Sequence, residues 1–450
     1  MQGSGITERA LQSDPSWGEG RRLRARWGTT GQGGPAMLSR LRVVGYKSFR
    51  DATLSAGPLC VLVGPNASGK SNLLDALRLL SAWVTQPSLT AGFTDHRGTP
   101  LEAFHRSDRT MEQMRDQRAL TMSLEADVHL SAGTIAEVAR SLRDAGKEGA
   151  AASITHDYLR YRVQVQLTPA SGRLRVLDER LLPLRRDGKP KASRLPFLSP
   201  EEVDGAGSET RLHLRREAGG HPYFHELGLD HTILSEPLYP PHFAHAVAFR
   251  EELKRWRIHA FHASSIRDGA PWGATGASDS GQGLAGFLHR LAAEHPSELS
   301  RLTDRLRSLV PFVDGLQVES DAEGRLQLRI VEQGVPVSAR LASSGTLRLL
   351  ALLAAVSPHA GASLVALEEP ERSVHRRRLP VLADLLREAT ENSDLQILLN
   401  THSLAFARLF DDASIRLFDR RGAATHIDPF DPAYAGLFRD AAIEEAIESH

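Results

Sequence analysis

The run Gly64-Pro65-Asn66-Ala67-Ser68-Gly69-Lys70-Ser71 reads G-x-x-x-x-G-K-S. Glycines at positions 64 and 69 let the backbone turn tightly, so that successive N–H groups point inward around phosphate oxygens. In this pattern Lys70 reaches the β- and γ-phosphates and the Ser71 hydroxyl ligates Mg²⁺. Two further groups carry chemistry: the pair Glu368-Glu369 and, beyond it, His402. Phosphoryl transfer to water needs a cradle, a metal, an oriented water and positive charge. Glu368 is suited to hold Mg²⁺ directly or through its water shell, Glu369 to polarise the attacking water, and His402 to sense the γ-phosphate.

These residues need elements to hold them. Leu59–Val63 is an apolar run of strand length that enters the glycine loop, and Leu73, Leu74, Leu77 and Leu80 give the exit helical spacing. The helix N-terminus adds unpaired N–H groups and a positive dipole end to the same anion site. Ser363–Leu367 is a continuous apolar run ending in the paired glutamates, the composition of a parallel strand buried on both faces. A helix over Leu379, Leu382, Leu385 and Leu386 leads to a strand at Leu395–Leu399, which ends at Asn400-Thr401-His402-Ser403. Strand carboxyl ends are where α/β sheets place ligands, so loop, glutamates and histidine are predicted along one sheet edge.

The chain has 450 residues, enough for two or three lobes. Lys+Arg and Asp+Glu balance at 55 each, which excludes a global field for nucleic acid or anionic membrane. The single cysteine, Cys60, rules out an internal disulfide and reads as a buried hydrophobe. No apolar stretch is long enough to cross a bilayer and none resembles a signal peptide, so no membrane partner and a cytoplasmic location are expected.

Residues 1–37 form a Gly-, Ser- and Arg-rich stretch with a basic cluster at Arg21, Arg22, Arg24 and Arg26, expected to be disordered. An N-terminal lobe is expected over 38–190, an insertion or helical lobe over 191–310, a C-terminal lobe over 311–430 and a tail over 431–450. Two short strands are expected to flank Gly45, with further strands at Leu120–Val128, Tyr158–Leu167 and Leu174–Leu184 and a short helix at Ile135–Arg143. Arg185–Gly220 reads as loop. His221, His225, His231, His242, His245, His259 and His262 are dense in histidine, but intervening prolines break helical pairing, so polar surface or core-edge histidines are expected over a metal site. Trp256–Phe261 reads as a strand, Leu284–Leu291 and Leu299–Leu309 as amphipathic helices, and Leu316–Ser320 with Leu326–Val331 as a hairpin. Thr346–Val356 is apolar almost all round, hence a buried helix.

Four segments resemble the ABC-type ATPases of the SMC/RecF/OLD-like branch, often described as AAA-family ATPases with an ABC-like core. Val44–Asp51 looks like that branch's opening strand, and Gly64–Asp75 matches its phosphate loop, with Asn72 where transporter ATPases usually carry Thr. Ser343-Ser344-Gly345-Thr346-Leu347-Arg348 resembles the signature motif. Leu367–Glu371 with Thr401-His402-Ser403 resembles Walker B and the switch histidine. The resemblance implies an α/β P-loop fold: a mixed or parallel sheet flanked by helices, an antiparallel layer and a helical insertion. It also implies that Ser343 and Gly345 bind the γ-phosphate held by a second copy, so that ATP is sandwiched in a head-to-tail dimer. Ser344 departs from the usual acidic residue or Gly, His375 stands in a segment where transporters carry Asp, and no counterpart of the glutamine loop is evident.

OLD-like relatives often continue into a nuclease domain, whereas about fifty residues follow His402. Asp428 and Asp431 look like turn formers in a Pro-rich loop, so a separate chain is expected to do any cutting. The leading expectation is an ATPase using ATP and Mg²⁺, whose nucleotide-driven dimerisation acts on DNA or a partner effector, in repair or phage defence. A nucleotide-gated scaffold with negligible turnover and a transporter ATPase subunit are the alternatives. Clusters at Arg185, Arg186, Lys189, Lys191 and Arg194, and at Arg376–Arg378, suit DNA or a solvated face equally.

Overall fold

The computed structural model describes residues 36–144, 154–192, 195–203, 209–217, 223–274 and 278–430, with residues 441, 443, 444 and 447. The Arg21–Arg26 cluster, His221, Arg194 and Asp431 lie outside the described residues.

The centre is a sheet of six strands, in the order Trp256–His259, Leu364–Glu368, Gln396–Thr401, Leu59–Val63, Ile415–Arg421 and Ala424–Pro429. The first five pair in parallel and the last is antiparallel. Alternation along Leu59–Val63 sends Cys60 and Leu62 into one core and Leu59, Val61 and Val63 into another, which is why this strand is apolar without a break. Burial pushes the Cys60 thiol up to about 12, so it stays a neutral core group.

On the Cys60 side lie the helix Lys70–Thr85 and an antiparallel sheet. That sheet runs Phe49–Ser55, Leu38–Tyr46, Leu120–His129, Tyr158–Thr168, Arg173–Pro183, Leu198–Val203, Glu209–Leu214, Tyr223–Glu226. Tyr161, Val163, Val165 and Leu167 alternate into the core with polar neighbours turned outward. Gln396 stitches the two sheets: its side chain accepts from Leu38 N at 2.7 Å and donates to Leu38 O at 2.8 Å. On the other side pack the helices Leu284–Glu294, Pro296–Leu309, Ser344–Ala355 and Leu379–Glu391, and a small sheet of Val313–Ser320, Leu326–Glu332 and Val335–Ser338.

Three local expectations are corrected. The first turn is at Lys47-Ser48, not Gly45: Leu38–Tyr46 runs through Gly45, and Lys47 takes the left-handed conformation at φ 42°. Gly45 is needed because a Cβ there would sit 2.6 Å from the Thr121 carbonyl oxygen of the neighbouring strand. The stretch read as loop over Arg185–Gly220 contains Leu198–Val203 and Glu209–Leu214, which with Tyr223–Glu226 extend the antiparallel sheet. Phe197, Leu198, Leu212 and Leu214 are its buried apolar anchors among the described residues, too sparse a pattern to read among charges. Asp428 lies in the strand Ala424–Pro429 and pairs in register with Leu417, where Asp is a poor strand former but faces solvent.

Candidate nucleotide site

Register sets the site. Val63 pairs with Thr401, Asn400 with Glu368, and Leu367 with His259, so the loop, the glutamates and His402 leave adjacent strands at the same edge. Gly69 closes the loop at φ 105°, and a Cβ there would lie 2.5 Å from Thr425 Oγ1 and 2.7 Å from Ser48 Oγ. The loop is stapled from both sides. Asn72 Nδ2 donates to Ser48 Oγ at 2.9 Å, and the Thr425 hydroxyl donates to the Ser68 carbonyl at 2.7 Å. Ala67, at φ 61°, is a left-handed non-glycine within the loop, and its carbonyl accepts from Arg420.

Lys70 is 3% exposed, and its ammonium donates to Gly64 O at 2.6 Å, Pro65 O at 2.7 Å and Ser68 Oγ at 3.3 Å. Burial pushes its pKa down to about 8, while the Glu369 carboxylate pulls the other way. Asn400 ties the loop to the glutamate pair. Its Nδ2 donates to Ser71 Oγ at 3.2 Å and its Oδ1 accepts from Glu369 N at 2.9 Å. That bond holds Glu369 at φ 43°, ψ 59°, a left-handed conformation costing about 1 kcal/mol for a residue with a side chain. The Glu369 carboxylate lies 3.3 Å from His402 Nε2. Burial, then the Lys70 charge, hold His402 below its ordinary value against the pull of Glu369.

Glu368 pairs with Arg97 at 2.6 Å, and the same guanidinium donates to Ser71 O at 3.2 Å. The Ser71 hydroxyl accepts from Asn400, which pairs in register with Glu368, so a hydroxyl and a carboxylate, oxygen donors of the kind Mg²⁺ prefers, leave the same edge. Arg97, Lys47 and Arg78 converge on Asp75. Burial raises its carboxyl, but Arg97 and Lys47 outweigh that and hold it below the usual range. Thr401 Oγ1 donates to Glu371, whose carboxyl burial raises.

Ser343 and Gly345 sit elsewhere in the chain's hydrogen-bond pattern. Ser343 caps the helix Ser344–Ala355, its hydroxyl accepting from Gly345 N at 3.3 Å. Arg267 braces the same turn by donating to Ser344 Oγ at 2.9 Å and Ala342 O at 3.0 Å. Leu341, two residues earlier, is 83% exposed.

Residues 59–128 and 154–408 match the family described as "AAA domain, putative AbiEii toxin, Type IV TA system". The chain belongs to this AAA family. A 49-residue stretch is 49% identical to the chromosome partition protein Smc of Thauera aminoaromatica, and it takes in 4% of that relative's length. The fold is similar to that of an Smc head solved with the C-terminal winged-helix domain of ScpA: TM-score 0.52, 12% identity, covering 89% of this chain and 100% of that one. An Smc head with an extended coiled coil, from Pyrococcus furiosus and solved with the C-terminal domain of ScpA, gives TM-score 0.48 at 10% identity over 87% and 95%. The AAA chain is thus an α/β P-loop fold of the Smc-head kind. Among its described residues no helix is long and apolar enough to cross a membrane, and no group of three His, Cys, Asp or Glu is placed to hold a metal ion.

Sequence reasoning passed over Asn400, Arg97, Ser48 and Thr425. Only Asn400 had a signal, a polar amide ending an apolar strand beside the paired acids. The others join the site through contacts between residues far apart in the chain.

Proposed function

We propose that this chain binds ATP with Mg²⁺ and hydrolyses it, and that nucleotide drives two copies into a head-to-tail dimer that signals to a partner effector. The observation that carries the reading is the Asn400 bridge between Ser71 and Glu369 at the mouth of a phosphate loop. It puts the loop that would hold the phosphates and the carboxylate that would orient water on one rigid edge. Lys70 would exchange its three loop oxygens for phosphate oxygens, and Ser71 and Glu368 would hold Mg²⁺, which when bound supplies charge neutralisation on the triphosphate. Glu369 would accept the proton of the attacking water, with His402 beside it holding the γ-phosphate end in place.

The dimer reading is supported by the signature turn, whose hydrogen bonds stay within its own neighbourhood, and by the exposed Leu341 and Val335 beside it. A second copy's Ser343 and Gly345 would close over the triphosphate. A role in defence is favoured by the family's description as a putative toxin of a type IV TA system; a separate effector or nuclease chain and DNA are the candidate partners. ATP turnover of the wild type, Lys70→Ala and Glu369→Gln is the test: activity in the first and its loss in both variants is expected, and equal rates in all three would sink the reading.

A further inference from the structure

A second cavity, of about 720 Å³, opens on the outer edge of the parallel sheet. It shares no lining residue with the smaller cavity beside Glu369, which is bounded by Phe261, Arg348 and Arg372. Its polar wall is basic. Arg255 and Arg257 come from the edge strand Trp256–His259 and the residue before it, and Arg290 from the helix Leu284–Glu294, while His259 and His359 complete the wall. The one carboxylate lining it, Glu137, is half exposed and lies 3.7 Å from Arg255. Asp279, which faces Arg257 and His259 from behind, is already engaged by Arg78 at 3.1 Å.

Arg290 also lines a small adjoining cavity with Glu294, and Arg257 Nη1 donates to the Trp256 carbonyl at 3.0 Å. The three guanidiniums facing the larger cavity still outnumber its lining carboxylate among the described residues, and partial burial makes their mutual repulsion stronger than in water. Burial, with Arg255 beside it, lowers the Arg257 pKa against the pull of Asp279. Arg255 Nε is buried and makes no hydrogen bond among the described residues. Donors of this kind are retained where an acceptor arrives from outside. Planar, multidentate guanidiniums are the groups that recognise phosphate oxygens best. The remaining wall is apolar, with Phe287, Ala354 and Ala355, and the volume falls within the range of small-molecule sites, about 300–1,000 Å³.

We infer that this cavity is a binding site for a phosphorylated small molecule of nucleotide size, separate from the phosphate loop, with Arg255, Arg257 and Arg290 holding its phosphates. The inference does not rest on hydrolysis at Glu369.

The test uses the full chain carrying Lys70→Ala, which weakens the loop about a hundredfold, titrated calorimetrically with ADP at concentrations below those the weakened loop would need. One site per chain is expected to persist. Adding Arg290→Ala, or separately Arg257→Ala, should weaken it about tenfold, the loss of one charge-assisted hydrogen bond. Arg290→Lys should recover part of the loss. Circular dichroism and melting temperature control for folding, and the Arg290 substitutions, at a partly buried helix position, should leave both nearly unchanged. No binding in the Lys70→Ala chain would overturn the inference, and so would binding that Arg290→Ala and Arg257→Ala leave unmoved. Loss of all ADP binding with Lys70→Ala would leave the loop's proposed role standing, so the two readings fail separately.

Discussion

The phosphate-loop edge and the signature turn differ in how completely the chain braces them. Around the loop, side chains from four distant segments interlock: Ser48, Arg97, Asn400 and Thr425 all bond to it or to the acids beside it. The signature turn has its own cap and Arg267, and next to it an exposed leucine. On the proposed dimer reading, the braced loop edge is one half of a shared surface and the exposed shoulder beside the signature turn belongs to the other. The contrast teaches that the fold braces the loop edge through distant segments while the signature turn is held only by its own cap and Arg267.

The contrast can be broken most directly at Glu369. Glu369→Gln should cut the ATP turnover number by roughly 10²–10⁴ while nucleotide affinity, measured by calorimetry, stays nearly constant; an equal fall in both would mean that Glu369 binds rather than activates water. Lys70→Ala comes next, with nucleotide affinity about a hundredfold weaker because a buried cation on the phosphates is lost. Ser343→Arg separates the two halves. It should leave nucleotide binding by the single chain intact, cut turnover roughly thirtyfold and abolish ATP-dependent dimers in light scattering. Mixing Ser343→Arg with Lys70→Ala should restore turnover to at most roughly a quarter of wild type, since half of random pairings are mixed and each mixed pair regains one intact site. No recovery in the mixture would refute the shared-site geometry.

Asn400→Ala leaves the Glu369 N–H without its acceptor and should lower turnover about tenfold with little change in nucleotide affinity. The smallest effect is on pH dependence. Lys70 titrates at about 8 in its loop instead of the ordinary 10.5. Phosphate oxygens would raise it again, so above that pH binding must take up a proton and affinity should fall, by at most roughly one log unit per pH unit. Below it Lys70 is already charged and its contribution should be flat. Calorimetry in two buffers of different ionisation enthalpy counts that proton.

Much of this was legible without coordinates because its signals are local. An apolar run entering G-x-x-x-x-G-K-S, and another ending in Glu368-Glu369, each declare a strand and what hangs from its end. The alternation from Tyr161 to Leu167 declared a half-buried strand in the same way. The misreadings fall where local signals are thin. Leu198–Val203 and Glu209–Leu214 have few apolar residues and exist as strands because the sheet edge beside them offers a hydrogen-bonding partner. Gly45 looked like a turn, but its positive φ serves a close approach to Thr121, and Lys47 makes the turn instead.

By itself, the sequence determined that this is a P-loop protein with its acids and histidine at strand ends, because strand burial and phosphate cradling demand particular residues at particular short spacings. Only the tertiary structure decided that Asn400 joins Ser71 to Glu369, that Arg97 answers both Asp75 and Glu368, and that three arginines gather at the sheet's far edge. Those pairings join residues tens to hundreds of positions apart, and strand register, which no local pattern encodes, is what brings them within hydrogen-bonding distance.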